Sequence, residues 1–344
     1  MYFASDNTAG MAPEILAAIG KANTGYALGY GNDDWTRRVE QSFAEMFEKD
    51  VAVFLVPTGT AANALAIAHL SPPWGAVLCH EGSHIATDEC GAPEFFGGGL
   101  KLIGLPGDGA KISAATLRGA LERGAWGGPH HVSPSVLSLS QATECGTIYR
   151  VDEVRELADI AHRHDVDVHM DGARLGNALG RTNASLPEAT WKAGIDVLSF
   201  GATKGGTMGA EAVIFFDPKH GANMPDRRKR GGATASKHRF IAAQIEAYLA
   251  DDLWLRLARH ANAMADALAA GLTAAGCKPV WPVEANEVFA PITTDMDKRL
   301  KAAGAMYYPW PSDSIPNDRI LVRLVTSFQT ANEDVEKFLA IVRS

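Results

Sequence analysis

Six short apolar runs, separated by loops and helical patterns, constrain this chain more than any other feature. They are VAVFLV (51–56), AVLCH (76–80), PSVLSLSQ (134–141), VDVHM (166–170), IDVLSF (195–200) and EAVIFF (211–216). Runs that are apolar on both faces suit buried strands. TGTAANALAIAHL after the first run reads as a helix, and VDEVRELADIAHRH after the third reads as another. In the latter Asp152 is the expected N-cap, and Val154, Leu157, Ala158 and Ala161 share one face. Strand, helix, strand at this spacing predicts an α/β fold with a mostly parallel sheet covered by helices.

The character changes after about residue 240. A long helical stretch, RFIAAQIEAYLADDLWLRLARHANAMADALAAGLTAAG, is expected to bend or break near Asp251 and Asp252. Strand candidates PVWPV, EVFAPI and ILVRLVTSF follow. The chain ends in NEDVEKFLAIVR, with Asn332 as expected cap and Val335, Phe338, Leu339 and Val342 at i, i+3, i+4 and i+7. A chain of 344 residues is long for one core, so the expectation is a large domain, 1–245, and a small α+β domain, 246–344. The first residues are expected to reach the active site or the small domain.

A net charge of −8 argues against a nucleic-acid surface. Cys79, Cys90, Cys145 and Cys277 are scattered without a CxxC pair, so they read as reduced thiols of a cytoplasmic protein. The start of the chain lacks the basic residues and apolar run of a signal peptide, and no stretch reaches the ~18 unbroken apolar residues of a membrane span.

Ligands of open α/β sheets bind beyond the carboxyl ends of the strands. Those ends deliver Thr58-Gly59-Thr60, then Glu81-Gly82-Ser83-His84, then Thr143-Glu144, then Asp171-Gly172-Ala173-Arg174, then Thr203-Lys204. Thr58–Thr60 open a helix and read either as a phosphate cradle or as a plain capped start. No GK[ST] or GxGxxG accompanies them. Asp171 ends an apolar strand, where a carboxylate needs a partner; the protonated ring nitrogen of pyridoxal phosphate (PLP) is a good one. Lys204 sits among small residues in SFGATKGGTMG, the surroundings a carbonyl-binding lysine needs. His162, His164 and His169 lie near Asp171 in sequence but read as solvent-facing or satisfied core histidines, and no metal is expected.

SDNTAG, YGNDDWTRRVE, PTGTAANALA, SHI…DECGAPE, HMDGAR, SFGATKGG and VRLVTSF fall in the order seen in low-specificity L-threonine aldolases. The chain resembles that family, a β-eliminating-lyase group of fold-type I PLP enzymes, over nearly its whole length. SFGATKGG resembles the branch that includes phenylserine aldolases. The resemblance implies cleavage of L-threonine, L-allo-threonine or L-phenylserine-type substrates to glycine and an aldehyde. Other PLP reactions on the same scaffold (β-elimination, racemisation, transamination) are the alternative.

By the same resemblance, Lys204 forms the Schiff base, Asp171 holds the pyridine nitrogen, Thr58, Gly59 and Thr60 bind the phosphate, and His84 stacks on the ring. Arg174 sits near the ring hydroxyl and the substrate carboxylate; Ser5 and Arg323 hold that carboxylate. Tyr30 and Asp33 fall where the family lines its site. Arg230 and Lys237 match basic positions that reach the active site of their own or a neighbouring subunit, the latter in a homodimer or homotetramer. Many relatives carry a histidine where this chain has Glu144. The base for the β-hydroxyl proton is therefore open among His84, Glu144, Glu89 and a water.

Overall fold

In the computed structural model, which describes residues 1–312 and 315–344, two sheets form among the described residues. The larger has seven strands: β1 (Ala52–Val56), β2 (Gly75–His80), β3 (Lys101–Leu105), β4 (Ser133–Ser140), β5 (Asp167–Gly172), β6 (Val197–Gly201) and β7 (Glu211–Phe215). Their order is β1-β7-β6-β5-β4-β2-β3, and β7 alone runs antiparallel to its neighbours. The mostly parallel sheet read from the sequence is thus present. The reversal of β7 has a consequence for the site: its first residue, Glu211, lies beside Val56 and Gly201, at the edge where β1 and β6 end.

Burial explains why these runs pair. Residues of β2, β5 and β7 are almost wholly buried, as expected of strands covered on both faces. Polar groups inside the sheet are matched: His169 on β5 bonds Ser138 Oγ through Nδ1 and Ser199 Oγ through Nε2, each at 2.9 Å. His162 ends its helix and pairs with Asp196 at 2.8 Å. The helix Gly59–Leu70 is buried from Ala62 to Ala68, and its run of alanines lets it lie close on the sheet.

Some local expectations need correction. The helix Val151–His162 is capped by the Arg150 backbone, whose N–H donates to Glu153 at 2.7 Å, so Asp152 lies in the first turn. Asn332 likewise begins the last helix, Asn332–Arg343, inside its first turn and donates to Glu336 at 3.0 Å. The break near Asp251 and Asp252 is real. The helices Arg239–Leu249 and Leu253–Ala274 are separated by a short turn in which both aspartates have left-handed φ, 52° and 53°.

The smaller sheet is antiparallel, ordered β8-β10-β9, with β8 (Glu287–Thr293), β9 (Tyr308–Pro309) and β10 (Arg319–Val325). PVWPV forms no strand, because its prolines lack the N–H a ladder needs. The small sheet covers a core of Leu268, Leu272, Val288, Val322 and Phe338, which Phe3 joins. Phe3 donates its N–H to Met306 and accepts from Val325. The long helix serves two cores: Trp254 packs with Phe43, Leu198 and Phe200 in the core of the seven-stranded sheet, and Leu268 and Leu272 pack in that of the smaller sheet. No helix among the described residues is long and apolar enough to cross a membrane.

Candidate active site

The strand ends converge on a cavity of about 330 Å³. Thr58, Gly59, Thr60, His84, Glu89, Glu144, Asp171, Arg174 and Lys204 all line it.

At one end lies the start of the helix Gly59–Leu70. Thr58 caps it, accepting the Ala61 N–H at 3.1 Å. The first amides of such a helix have no partner within it, and its dipole favours an anion there. A Cβ on Gly59 would meet nothing within 4 Å, so the backbone here fronts open space.

Lys204 follows β6, and its glycines have a steric cause. A Cβ on Gly205 would collide with the Tyr248 hydroxyl, and Gly206 holds a φ of +128°. The turn therefore admits only glycine at these positions without rearrangement. Glu211 braces the other side, accepting the N–H groups of Ala202 (3.0 Å) and Thr203 (3.3 Å). Burial pushes the Glu211 carboxyl up to about 7 despite those bonds and the charge of Lys204. Among the described residues Lys204 Nζ makes no hydrogen bond or ion pair, so its amine is uncommitted.

Asp171 ends β5 and is 6% exposed. Its Oδ1 accepts the Ala173 N–H at 3.0 Å and its Oδ2 accepts from Asn63 Nδ2 at 2.8 Å. The same Asn63 amide donates to Glu89 Oε1 at 2.9 Å, and that oxygen lies 2.8 Å from His84 Nδ1. The His84 backbone N–H donates to Glu144 at 3.3 Å, so Glu144 sits against the start of the His84 turn.

Arg174 is buried and held by two carboxylates. Nε and Nη2 donate to Asp6 at 2.8 and 3.1 Å. Nη1 lies 3.2 Å from Glu287 Oε2, an ion pair without hydrogen-bond geometry. Burial would raise the Asp6 carboxyl, but Arg174 and Lys204 bring it below its ordinary value. Burial wins at Glu287 and pushes it up to about 7, Arg174 notwithstanding. All three guanidinium nitrogens thus face a carboxylate: Nε and Nη2 face Asp6, and Nη1 faces Glu287.

Six expected residues do not line the cavity. Ser5 caps the turn Asp6–Thr8, accepting the Asn7 N–H at 3.1 Å. Tyr30 is exposed, with Lys229 Nζ 4.6 Å from its ring centroid. Arg230 ends the helix Met224–Arg230 and points to solvent, as does Lys237 in the loop beyond. Arg323 on β10 stacks 5.0 Å from the Trp310 centroid, with its Nε buried and unpartnered. Asp33 is also apart: it caps the helix Asp34–Phe47 through Thr36. Conversely Asp6, Asn63, Glu211 and Glu287 carry much of the site's bonding and were not singled out in the sequence. Asp6 lies in SDNTAG and Asn63 in PTGTAANALA, so the motifs held them without showing which side chains turn inward.

Residues 2–295 match the family described as beta-eliminating lyase. The chain belongs to the beta-eliminating lyase family. It is 43% identical to a low specificity L-threonine aldolase of Pseudomonas aeruginosa across 89% of this chain and 88% of that one. A low specificity L-threonine aldolase of a Pseudomonas species is 39% identical, across 99% and 97%. The structure of Leishmania major threonine aldolase superposes with a TM-score of 0.93 at 29% identity, covering 99% of this chain and 98% of that one. The cavity of this beta-eliminating lyase family member thus lies in a fold that a threonine aldolase shares from end to end.

Proposed function

We propose that the protein is a PLP-dependent carbon–carbon lyase that cleaves L-threonine, L-allo-threonine or L-phenylserine-type amino acids to glycine and an aldehyde. One observation carries the reading: Lys204, Asp171 and His84 share a cavity with the anion-favouring start of the helix Gly59–Leu70.

The donor set fits the cofactor. Lys204 would hold its aldehyde carbon, Asp171 its ring nitrogen, His84 its ring face, and Thr58, Gly59 and Thr60 its phosphate. When bound, the group supplies an electron sink for the pair released from the Cα–Cβ bond. Asp171 would keep its ring nitrogen protonated, which deepens that sink. Arg174, with Ser5 and Arg323 as the family resemblance implies, would hold the substrate carboxylate, so that the bond to be broken lies in the reactive orientation. Glu211 fixes the Lys204 turn, and His84, Glu144, Glu89 or a water would accept the β-hydroxyl proton.

The chain is read as a large PLP-binding unit, 1–245, and a small one, 246–344. Tyr26, Leu28 and Tyr30 are exposed on a loop bound to Ser236, next to exposed Arg230 and Lys237. This surface suits a second copy of the chain in a homodimer or homotetramer, which would bring a cation to the phosphate that the neutral donors Thr58, Gly59 and Thr60 lack. The four cysteines are unpaired, which fits the cytoplasm.

The test is a product assay. Purified protein with PLP and L-threonine or L-phenylserine should form glycine and aldehyde in equal amounts. Release of ammonia with a keto acid, or inversion at Cα without cleavage, would assign one of the other PLP reactions instead.

A further inference from the structure

We propose that Glu89 is a positioning residue that fixes the His84 imidazole as its Nδ1–H tautomer, so that the nitrogen offered to the cavity is Nε2. What His84 does with that nitrogen rests on the aldolase reading; the tautomer rests on geometry alone.

Donors and acceptors around the ring fix its tautomer. Glu89 Oε1 lies 2.8 Å from His84 Nδ1, and the Glu89 side chain is fully buried while that of His84 is 33% exposed. An ionised carboxylate only accepts, so the shared proton belongs to Nδ1. Asn63 fixes the carboxylate in turn. Its amide nitrogen is within 2.9 Å of Glu89 Oε1 and 2.8 Å of Asp171 Oδ2. Turned the other way, the amide would set its own oxygen against two carboxylate oxygens, so the bonding network itself selects the orientation. Among the described residues no protein group bonds Nε2, which is left to the cavity that His84 lines.

The arrangement is not one that stability alone would select. Glu89 Oε2 and Asn63 Oδ1 are both buried without a partner, and unpaired buried acceptors are costly. Two carboxylates, Glu89 and Asp171, share one neutral amide. What the cluster gains is a defined ring. The charged groups facing His84 are Glu89 from its own segment, Asp171 from β5, Glu144 from beyond β4 and Lys204 from beyond β6. The Glu89 bond, with Asp171 and Glu144, holds the imidazole above its ordinary value against burial and Lys204. Burial raises the Glu89 carboxyl in turn, though His84 and Asn63 oppose it. Below the His84 midpoint both ring nitrogens carry protons; above it Nε2 is free to accept one.

The experiment measures the His84 midpoint in the PLP-loaded enzyme by C2-hydrogen exchange across pH, read by mass spectrometry on the peptide that contains it. Glu89→Gln keeps the volume and removes the charge. Its His84 midpoint should fall, and the acid limb of kcat/KM should move to lower pH with it. Glu89→Asp keeps the charge, so its midpoint should stay nearer the wild-type value. A Glu89→Gln protein with an unmoved His84 midpoint, or equal shifts in both variants, would overturn the proposal. So would a moved midpoint with an unmoved acid limb. Should Glu89→Gln fail to fold, Glu89→Asp and Asn63→Ala carry the same measurement: Asn63→Ala should also displace the midpoint, and its failure to do so would count against the dyad. Absence of glycine formation by the wild type would overturn the aldolase reading instead and leave the midpoint measurement standing.

Discussion

Lys204 and Asp171 take opposite kinds of surroundings, and each can be tested alone. Lys204 has an uncommitted amine in a turn made of small residues. Lys204→Ala should lose the visible absorption of bound cofactor and nearly all turnover, as read by spectroscopy and glycine release. Asp171 accepts one N–H on each carboxylate oxygen, so Asp171→Asn keeps the side chain's shape and one of the two bonds and should still fold. A neutral amide cannot hold a ring nitrogen protonated, and the rate with saturating PLP should fall by more than about tenfold, ~1.4 kcal/mol. A smaller loss would mean that Asp171 does not face the ring. Glu211 yields a pH prediction. Its carboxyl is raised to about 7 in the fold against about 4.3 in an unfolded chain. The folded state therefore binds this proton more tightly, and the stabilisation is full below the unfolded value and lost as pH rises through about 7. The Tm of wild type relative to Glu211→Gln should decline over that window; a difference flat in pH would contradict it.

Among the elements, the helix Gly59–Leu70 joins fold and site most directly. Thr58→Ala removes the bond to the Ala61 N–H, which should cost about 1 kcal/mol of stability and speed PLP loss on dilution. Retention equal to wild type, measured by equilibrium dialysis, would say that the phosphate sits elsewhere. The element scale also shows what the sequence could carry. The six buried runs were legible because each is apolar on both faces and bounded by turn residues. β3 was not: Lys101–Leu105 is an edge strand, half exposed and broken by Gly104, so it has no clear period. The reversal of β7 was hidden too, because an apolar run carries no direction. That concealed Glu211, whose place in the site depends on the strand running backwards. Lys204, Asp171, Arg174 and His84 were legible because strand-end loops put them on one edge. The clamp of Asp6 and Glu287 on Arg174 was not, since it joins residues from the two ends of the chain.

At the level of the whole molecule, the basic loop bears on how many copies make one site. Arg230 and Lys237 point away from the cavity of their own chain, yet the phosphate would meet only neutral donors there. Lys237→Ala should weaken PLP retention while leaving the subunit folded, tested by PLP titration beside light scattering. A fully active monomer with unaltered PLP affinity would reduce that loop to a solvated surface. The central claim is more direct, and one measurement addresses it. Purified wild type and Lys204→Ala, both saturated with PLP, are given L-threonine and, separately, L-phenylserine, and glycine and aldehyde are quantified over time. Matched glycine and aldehyde from the wild type, and almost none from Lys204→Ala, is the result this structure predicts. Equal rates from the two proteins, or no glycine from either, would contradict it.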